Sequence, residues 1–302
     1  MLPIVHHAGY RVSLSKTGSH EESKYAALMD LIVASELVGK TKVFEPEPIP
    51  VKSLKLVHDT AYVDDVINLA LDPSSLRRIG LAATDQLHIR PRLGTGGTYL
   101  AAKLALDYGL ACNTAGGSHH AHAGFGSGFC VFNDVAVAIA QLRLDGLIKR
   151  ALIIDLDVHQ GDGTASIFAR EPGVYTFSVH CEKNFPFRKS SSDLDIGLMR
   201  GVGDAVYMET LRSNLSVLLD GHKPDIVFYN AGVDPHIDDK LGHLNLSDDG
   251  LCAREKYVFD QVCGRSIPLV TVMGGGYGDD RYEVARRHYI LFEQAATYYG
   301  QG

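Results

Sequence analysis

The stretch ALIIDLDVHQGDGT, residues 151–164, places Asp155, Asp157, His159 and Asp162 directly after an apolar run. Carboxylates this close repel one another and lose hydration on burial unless a cation neutralises them. Carboxylates and imidazoles are ordinary zinc ligands. An extended strand turns alternate residues to one side, so the first three of these residues are expected to face one site. The stretch therefore predicts a cation site, against the alternative of solvated acids at a strand end.

A second apolar run ends in NAGVD, which places Asp234 just after it and before Pro235. An Asp-Pro pair at a strand end is on its own more typical of a turn. Beside Asp157 and His159, however, Asp234 is a candidate third ligand. Two carboxylates and one imidazole leave a fourth position open, which is typical of a catalytic zinc rather than a structural one.

The glycine-rich stretch TAGGSHHAHAGFGSGFCVFND, residues 114–134, contains the adjacent histidines His119 and His120. A histidine pair is commonly only a surface feature, but glycines let the backbone and side chains approach a ligand closely. A histidine near a metal site can act as a general base at neutral pH. A carboxylate behind each imidazole fixes its tautomer and raises its basicity. Asp155 and Asp162 are candidates for these carboxylates.

The stretch VMGGGYG, residues 272–278, places Tyr277 after three glycines at the end of a predicted strand. Such a tyrosine is either a packed residue after a turn or a phenol that acts in catalysis. In the second case, its hydroxyl donates a hydrogen bond to a carbonyl oxygen that gains charge during the reaction. The segment alone leaves both interpretations open.

Helices and strands alternate along the chain and must position these residues. The apolar spacing predicts helices over 23–38, 94–109 and 132–147. Continuous apolar runs, typical of strands buried on both faces of a parallel sheet, predict strands over 151–159, 173–180, 225–234 and 267–277. Segments 46–50 and 183–195 are predicted to be loops. No linker or repeat divides the chain, so we predict one α/β domain over residues 1–302, with three α/β/α layers and a mostly parallel sheet.

The composition limits the environment and the partners of the protein. The net charge of −7 argues against nonspecific binding of nucleic acid. No apolar run approaches the roughly 18 residues that predict a membrane-spanning helix. Five cysteines without CxxC spacing, and a start without the features of a signal peptide, favour reduced thiols and a cytoplasmic location.

Taken in order, these motifs resemble the histone deacetylase family, the zinc-dependent deacylases of the arginase/deacetylase fold. HDTAYVDDV (58–66) and DDKLG (238–242) extend the resemblance, which covers most of the chain. Each motif is moderately specific, and their shared order is highly specific. The resemblance implies an amide hydrolase that removes acetyl or longer acyl groups from lysine side chains of peptides or proteins by metal-activated water.

The resemblance implies two cation sites. Asp157, His159 and Asp234 would hold Zn²⁺, with Fe²⁺ as the alternative metal. The family also binds a monovalent cation, K⁺, near the position of Asp155. Ser178, at the end of GVYTFSVH, matches that second site. Asp155 would therefore be shared between the K⁺ site and the catalytic histidines.

The resemblance also implies the catalytic roles. His120 would be the main general base and then the general acid, with Asp162 behind it. Asp155 would lie behind His119. Tyr277 would polarise the carbonyl group of the bond that is cleaved.

The substrate tunnel and the branch of the family are implied in the same way. Gly128 and Phe129 would form one wall of an acyl-lysine tunnel, and either Phe185 or Phe187 would form the other. Lys24 stands where many members carry an arginine near the inner acetate channel. With KNFPFRK and the short chain, this is similar to the class IV and related bacterial branch, which implies removal of long acyl chains as well as acetyl.

Three alternatives remain at this point. The substrate could be an acetylpolyamine or another small amide, which Asp238 and Asp239 could attract, although a solvated turn or a fold-stabilising pair is the favoured role of these two residues. A ureohydrolase with two manganese ions shares the fold class but needs more bridging Asp and His residues than HQGDG provides. A non-enzymatic acyl-lysine binding module is disfavoured because every candidate catalytic position carries a reactive side chain. The sequence does not indicate an oligomeric state.

Overall fold

The computed structural model describes residues 1–11 and 20–300 of the chain. Within these ranges, the strands form one sheet in the order β2-β1-β3-β8-β7-β4-β5-β6, and all neighbouring pairs are parallel. The predicted parallel sheet is therefore confirmed. The strands are β1 Leu2–Val5, β2 Thr41–Phe44, β3 Leu110–Asn113, β4 Ala151–Asp155, β5 Val174–Cys181, β6 Leu194–Leu198, β7 Ile226–Asn230 and β8 Leu269–Val272.

Helices cover both faces of the sheet. They are α1 His20–Ala34, α2 Val51–Leu54, α3 Thr60–Ile67, α4 Pro73–Ile79, α5 Gln86–Tyr108, α6 Asp134–Leu144, α7 Asp162–Phe168, α8 Asp204–His222, α9 Asp248–Val262 and α10 Arg281–Tyr299. Residues of α1, α8, α9 and α10 share one core cluster, and residues of α5, α6 and α7 share another on the opposite face. The three-layer α/β/α architecture is confirmed.

The central strands explain why the sequence shows continuous apolar runs. Every residue of β4 and β7 is buried. Along β4, Leu152 and Ile154 belong to one core cluster, and Ile153 belongs to the cluster on the other face. Each such side chain contributes about 1.5–3 kcal/mol on full burial, so both faces of the strand stabilise the sheet.

The strand predicted over 151–159 is shorter than expected, because β4 ends at Asp155. The carboxylate of Asp155 accepts a hydrogen bond from the backbone N–H of Asp157, and Asp157 accepts one from the N–H of His159. These local bonds curl the chain into a loop. The prediction that strand alternation aligns the three residues was therefore wrong. Asp157 and His159 reach the site from the loop instead.

Several other boundaries also differ. Helix α5 begins well before the predicted residue 94 and runs through Pro91 and several glycines. A Cβ atom at Gly96 would lie 2.0 Å from the backbone oxygen of Glu47, so close packing against that segment requires glycine despite its low helix propensity. Strand β8 ends five residues before Tyr277, not next to it as predicted. The loop predicted over 183–195 overlaps the start of β6 at Leu194.

Candidate active site

Asp157, His159 and Asp234 converge on one buried point beyond the carboxyl ends of β4 and β7. Nδ1 of His159 lies 3.1 Å from Oδ1 of Asp157 and 3.1 Å from Oδ2 of Asp234. Ligand atoms around a tetrahedral zinc ion lie about 3.4 Å from one another, given zinc–ligand distances of about 2.0–2.2 Å. Burial, and then the charge of Asp157, raise the pKa of Asp234 to about 7. A divalent cation would relieve this repulsion, and the three residues fit one.

Backbone contacts aim the two carboxylates. Oδ2 of Asp157 accepts a hydrogen bond of 2.7 Å from the N–H of Gly275, and Oδ1 of Asp234 accepts one of 2.8 Å from Val158. Each carboxylate therefore keeps its other oxygen directed at His159. A Cβ atom at Gly275 would lie 2.1 Å from Oδ2 of Asp234. This close approach explains the glycine next to the site.

A buried arginine on α9, which the sequence did not single out, bonds the two loops that carry Asp157 and Asp234. Arg254 is fully buried and donates hydrogen bonds to the carbonyl oxygens of Leu156 (3.2 Å) and Gly232 (2.8 Å). These residues lie in the loops that carry Asp157 and Asp234. The guanidinium also contacts the carboxylate of Glu255 at 2.5 Å.

We expect Arg254→Met to reduce the free energy of unfolding by about 3–5 kcal/mol, because the buried charge of Glu255 loses its partner. Denaturant unfolding measures this loss. The double variant Arg254→Met/Glu255→Met is expected to regain much of the stability, since neither charge then remains unpaired. A loss below about 1 kcal/mol in the single variant would show that the pair does not stabilise the loops.

The two adjacent histidines contact separate carboxylates. Nδ1 of His119 lies 2.7 Å from Oδ2 of Asp155, and Nδ1 of His120 lies 2.6 Å from Oδ1 of Asp162. Burial lowers the pKa of both imidazoles. At His119 the charges of Asp155 and Asp157 outweigh burial and raise the pKa to about 9. At His120 burial and the charge of His119 prevail, and the pKa is lowered to about 4. Near pH 7 the pair therefore consists of one cationic and one neutral imidazole.

Further polar side chains fix the two carboxylates. Nε2 of His122 lies 3.1 Å from Oδ2 of Asp162, and the His122 ring stacks on Phe125 with centroids 4.4 Å apart. Burial raises the pKa of Asp162, but hydrogen bonds from His120 and His122 outweigh burial and hold this pKa well below its usual range. The Asn230 side chain donates a 3.0 Å hydrogen bond to Oδ1 of Asp155. Sequence reasoning gave Asn230 no role, although it begins the NAGVD motif.

Tyr277 lies near the candidate metal ligand His159, on the glycine turn after β8. Its ring centroid lies 6.3 Å from that of His159 and 6.2 Å from that of Phe129. Gly274 and Gly276 have φ angles of +65° and +152°, which favour glycine. The turn therefore depends on glycine to bring the phenol to the site.

Two charged side chains hold this turn. Nζ of buried Lys24 donates a 3.0 Å hydrogen bond to the carbonyl oxygen of Gly274 and lies 5.8 Å from the Tyr277 ring centroid. The N–H of Tyr277 donates a 2.6 Å hydrogen bond to Asp239. Asp239 also accepts bonds from the N–H groups of Leu241 and Gly242. Asp239 therefore stabilises the fold, which is the role that its sequence context favours over contact with a substrate.

A cavity of about 420 Å³ leads to these residues. Gly128, Phe129 and Phe185 line it together with His120 and Tyr277. The Phe185 ring lies 4.8 Å from that of His120. The structure therefore resolves the choice between the two phenylalanines.

Phe185 forms the second wall, whereas Phe187 is 93% exposed and does not line the cavity. Phe129 adopts a φ of +64°, which costs a non-glycine residue about 1–2 kcal/mol. Its N–H donates a 2.7 Å hydrogen bond to the carbonyl oxygen of Ile79, which holds this conformation.

Ser178 lies directly opposite Asp155 in the pairing of β4 with β5, and both residues are buried. Oγ of Ser178 lies 2.9 Å from Nδ1 of His180. The two residues named for the monovalent cation are thus neighbours in the sheet. The K⁺ site itself stays a prediction.

Comparisons with known proteins identify relatives over most of the chain. Residues 19–291 match the family model described as the histone deacetylase domain. An uncharacterized protein of Picosynechococcus sp. is 43% identical, over 98% of this chain and 99% of its own length. Histone deacetylase 2 of Arabidopsis thaliana is 31% identical over 91% and 74%, and a probable deacetylase of Methanothermobacter thermautotrophicus is 27% identical over 91% and 85%. Among the described helices, none is sufficiently long and apolar to span a membrane.

Proposed function

Because the chain belongs to the histone deacetylase family and is a hydrolytic deacetylase, we propose that it removes acyl groups from lysine side chains of peptides or proteins with a divalent metal ion. Zn²⁺ is the proposed metal and Fe²⁺ the alternative, held by Asp157, His159 and Asp234. One observation carries the proposal: these three residues lie beside two histidines, each bonded to its own carboxylate, in an aromatic-walled cavity.

A divalent metal ion held by Asp157, His159 and Asp234 would supply Lewis-acid chemistry to the amide carbonyl and would acidify water. Nδ1 of His120 faces Asp162, so Nε2 is the nitrogen that takes a proton from water. The same nitrogen then donates this proton to the leaving amine. The carboxylate of Asp155, which is bonded to Nδ1 of His119, favours the protonated imidazole, and this imidazole stabilises negative charge that develops beside it. The hydroxyl of Tyr277 donates a hydrogen bond to the carbonyl oxygen as its charge grows.

The aromatic walls suit an acylated lysine. Phe129 and Phe185 line the cavity on the way to His120 and Tyr277, so they can pack along an unbranched alkyl stem and limit the entry of water. The aromatic walls favour the neutral acyl-lysine over free lysine, whose ammonium group would lose its hydration beside them. The free amine is therefore expected to leave readily after the reaction.

The test is hydrolysis of one lysine peptide that carries acetyl, octanoyl or myristoyl, by zinc-loaded protein, with Tyr277→Phe as the matched variant. We expect release of at least one acyl group and a loss of about 10²–10³ in kcat for the variant, since one oxyanion donor is removed. The preferred chain length then reports the depth of the acyl-binding site. A Tyr277→Phe protein that keeps most of its activity would contradict the role of the phenol.

Failure on all three peptides would instead reject acyl-lysine peptides as substrates. Acetylpolyamines and other small amides, tested under the same conditions, would then be the next candidates. Metal content, measured on the same protein samples, separates a single-metal deacylase from a ureohydrolase with two manganese ions.

A further inference from the structure

The outer rim of the cavity is cationic, although the chain as a whole has a net charge of −7. Arg77, Arg78 and Lys240 line the cavity together with His243, and none of the described lining residues is an aspartate or glutamate. Among the described residues, the charged side chains that line this cavity are basic, in contrast to the acidic chain as a whole. The electrostatic field at this entrance therefore differs from that of the rest of the surface.

Arg77 and Arg78 carry charge that the described part of the chain does not neutralise. Both side chains are exposed, and no described carboxylate lies within ion-pair distance of either guanidinium. On the opposite wall, Lys240 forms an ion pair with Asp279. The two arginines therefore supply the unneutralised part of the rim.

The two arginines belong to a segment that is fixed to the tunnel wall. The N–H of Gly128 donates a 3.3 Å hydrogen bond to the carbonyl oxygen of Arg78, next to the bond from Phe129 to Ile79. The guanidinium of Arg78 lies 4.7 Å from the centroid of the Phe125 ring, a cation–π distance. The charge of Arg78 is thus held beside the entrance.

Helix geometry alone does not explain this arrangement. Arg77 and Arg78 lie in the last turn of α4, where cations interact favourably with the helix dipole. That interaction explains their presence at this helix end. It does not explain why no carboxylate of the described residues lines the rest of the cavity, where it would attract a cationic substrate.

We propose that the enzyme selects acylated amines that carry a carboxylate close to the scissile amide, such as an acyl-lysine flanked by Asp or Glu, and that Arg77 and Arg78 bind this carboxylate. The planar guanidinium suits a carboxylate because two parallel N–H groups can bond its two oxygens. This inference rests on the proposed deacylase function. It places acylated polyamines, whose remaining amines are cationic, among the poor substrates.

The experiment compares three acetyl-lysine peptides that differ only in the residues beside the lysine, which are Asp, Gln or Lys. We expect kcat/KM to fall in that order. Arg77→Gln and Arg78→Gln should each reduce the ratio of Asp to Lys peptides by about twofold to fivefold, as for one exposed ion pair. Added salt should reduce the same ratio. Arg212→Gln on α8, an exposed arginine away from the cavity, should leave the ratio unchanged.

Binding of the same three peptides to the Tyr277→Phe protein separates this inference from the proposed function. Tighter binding of the Asp peptide supports the cationic rim, even if the native protein hydrolyses none of the peptides. The absence of hydrolysis would reject only the proposed lysine deacylase function. Equal binding of all three peptides, or tighter binding of the Lys peptide, overturns the inference. The inference is also overturned if Arg77→Gln and Arg78→Gln each keep the full preference of the native protein for the Asp peptide. Arg78→Lys, which retains the positive charge, is expected to keep part of the preference for the Asp peptide.

Discussion

A His120→Gln variant is expected to lose about 10²–10⁴-fold in kcat, the usual effect of removing a positioned general acid–base group. The structure explains why this residue, rather than His119, takes the proton. Its pKa is lowered to about 4, so the imidazole is neutral and can accept a proton at pH 7. The pKa of His119 is raised to about 9, so that imidazole already holds its proton. Steady-state kinetics on the best acyl-lysine peptide measure the loss.

The variant His119→Gln is the matched comparison, because the side chain of His119 lies next to that of His120 and contacts Asp155 instead of Asp162. It should lower kcat less than His120→Gln, since it removes a stabilising charge but not the proton acceptor. Metal content and the free energy of unfolding, measured for both variants, show whether each retains the native site. The opposite order of kcat, with His119→Gln as the weaker enzyme, would exchange the two roles.

The general architecture follows from local patterns in the sequence. Strands β4 and β7 are apolar at nearly every position because helices cover both faces of the sheet, so the parallel sheet could be predicted. The three residues that converge at the candidate metal site could also be named, because Asp157, His159 and Asp234 follow these strands closely. How the chain brings these residues to the site could not be predicted, because hydrogen bonds between carboxylates and nearby N–H groups shape the loop after Asp155.

Other parts of the site depend on contacts between residues that are distant in the chain. Arg254 donates hydrogen bonds to backbone carbonyl groups 98 and 22 residues away. Because every residue has a backbone carbonyl group, a sequence pattern does not indicate such contacts. Phe185 and Phe187 are two residues apart and chemically identical. Only the folded loop shows that the first contacts His120 while the second faces solvent.

An Asp157→Asn variant is expected to lose most of its bound metal and nearly all of its activity. Asp157 is one of the three proposed ligands, and its other oxygen bonds the N–H of Gly275, so asparagine can keep that contact but would supply no charge to the metal. Metal analysis after dialysis measures the occupancy. Thermal unfolding provides a second measurement that does not depend on turnover, since a ligand present at 100 times its Kd stabilises the native state by about 2.7 kcal/mol.

Added Zn²⁺ should therefore raise the Tm of the native protein and leave the Tm of Asp157→Asn nearly unchanged. Asp249→Asn is the control, because this exposed carboxylate on α9 lies outside the ligand set and should not alter either measurement. If Asp157→Asn retained native metal content and the full Tm increase, the metal would be bound elsewhere. The convergence of Asp157, His159 and Asp234 would then have to be explained by the buried hydrogen bonds that His159 makes to the two carboxylates.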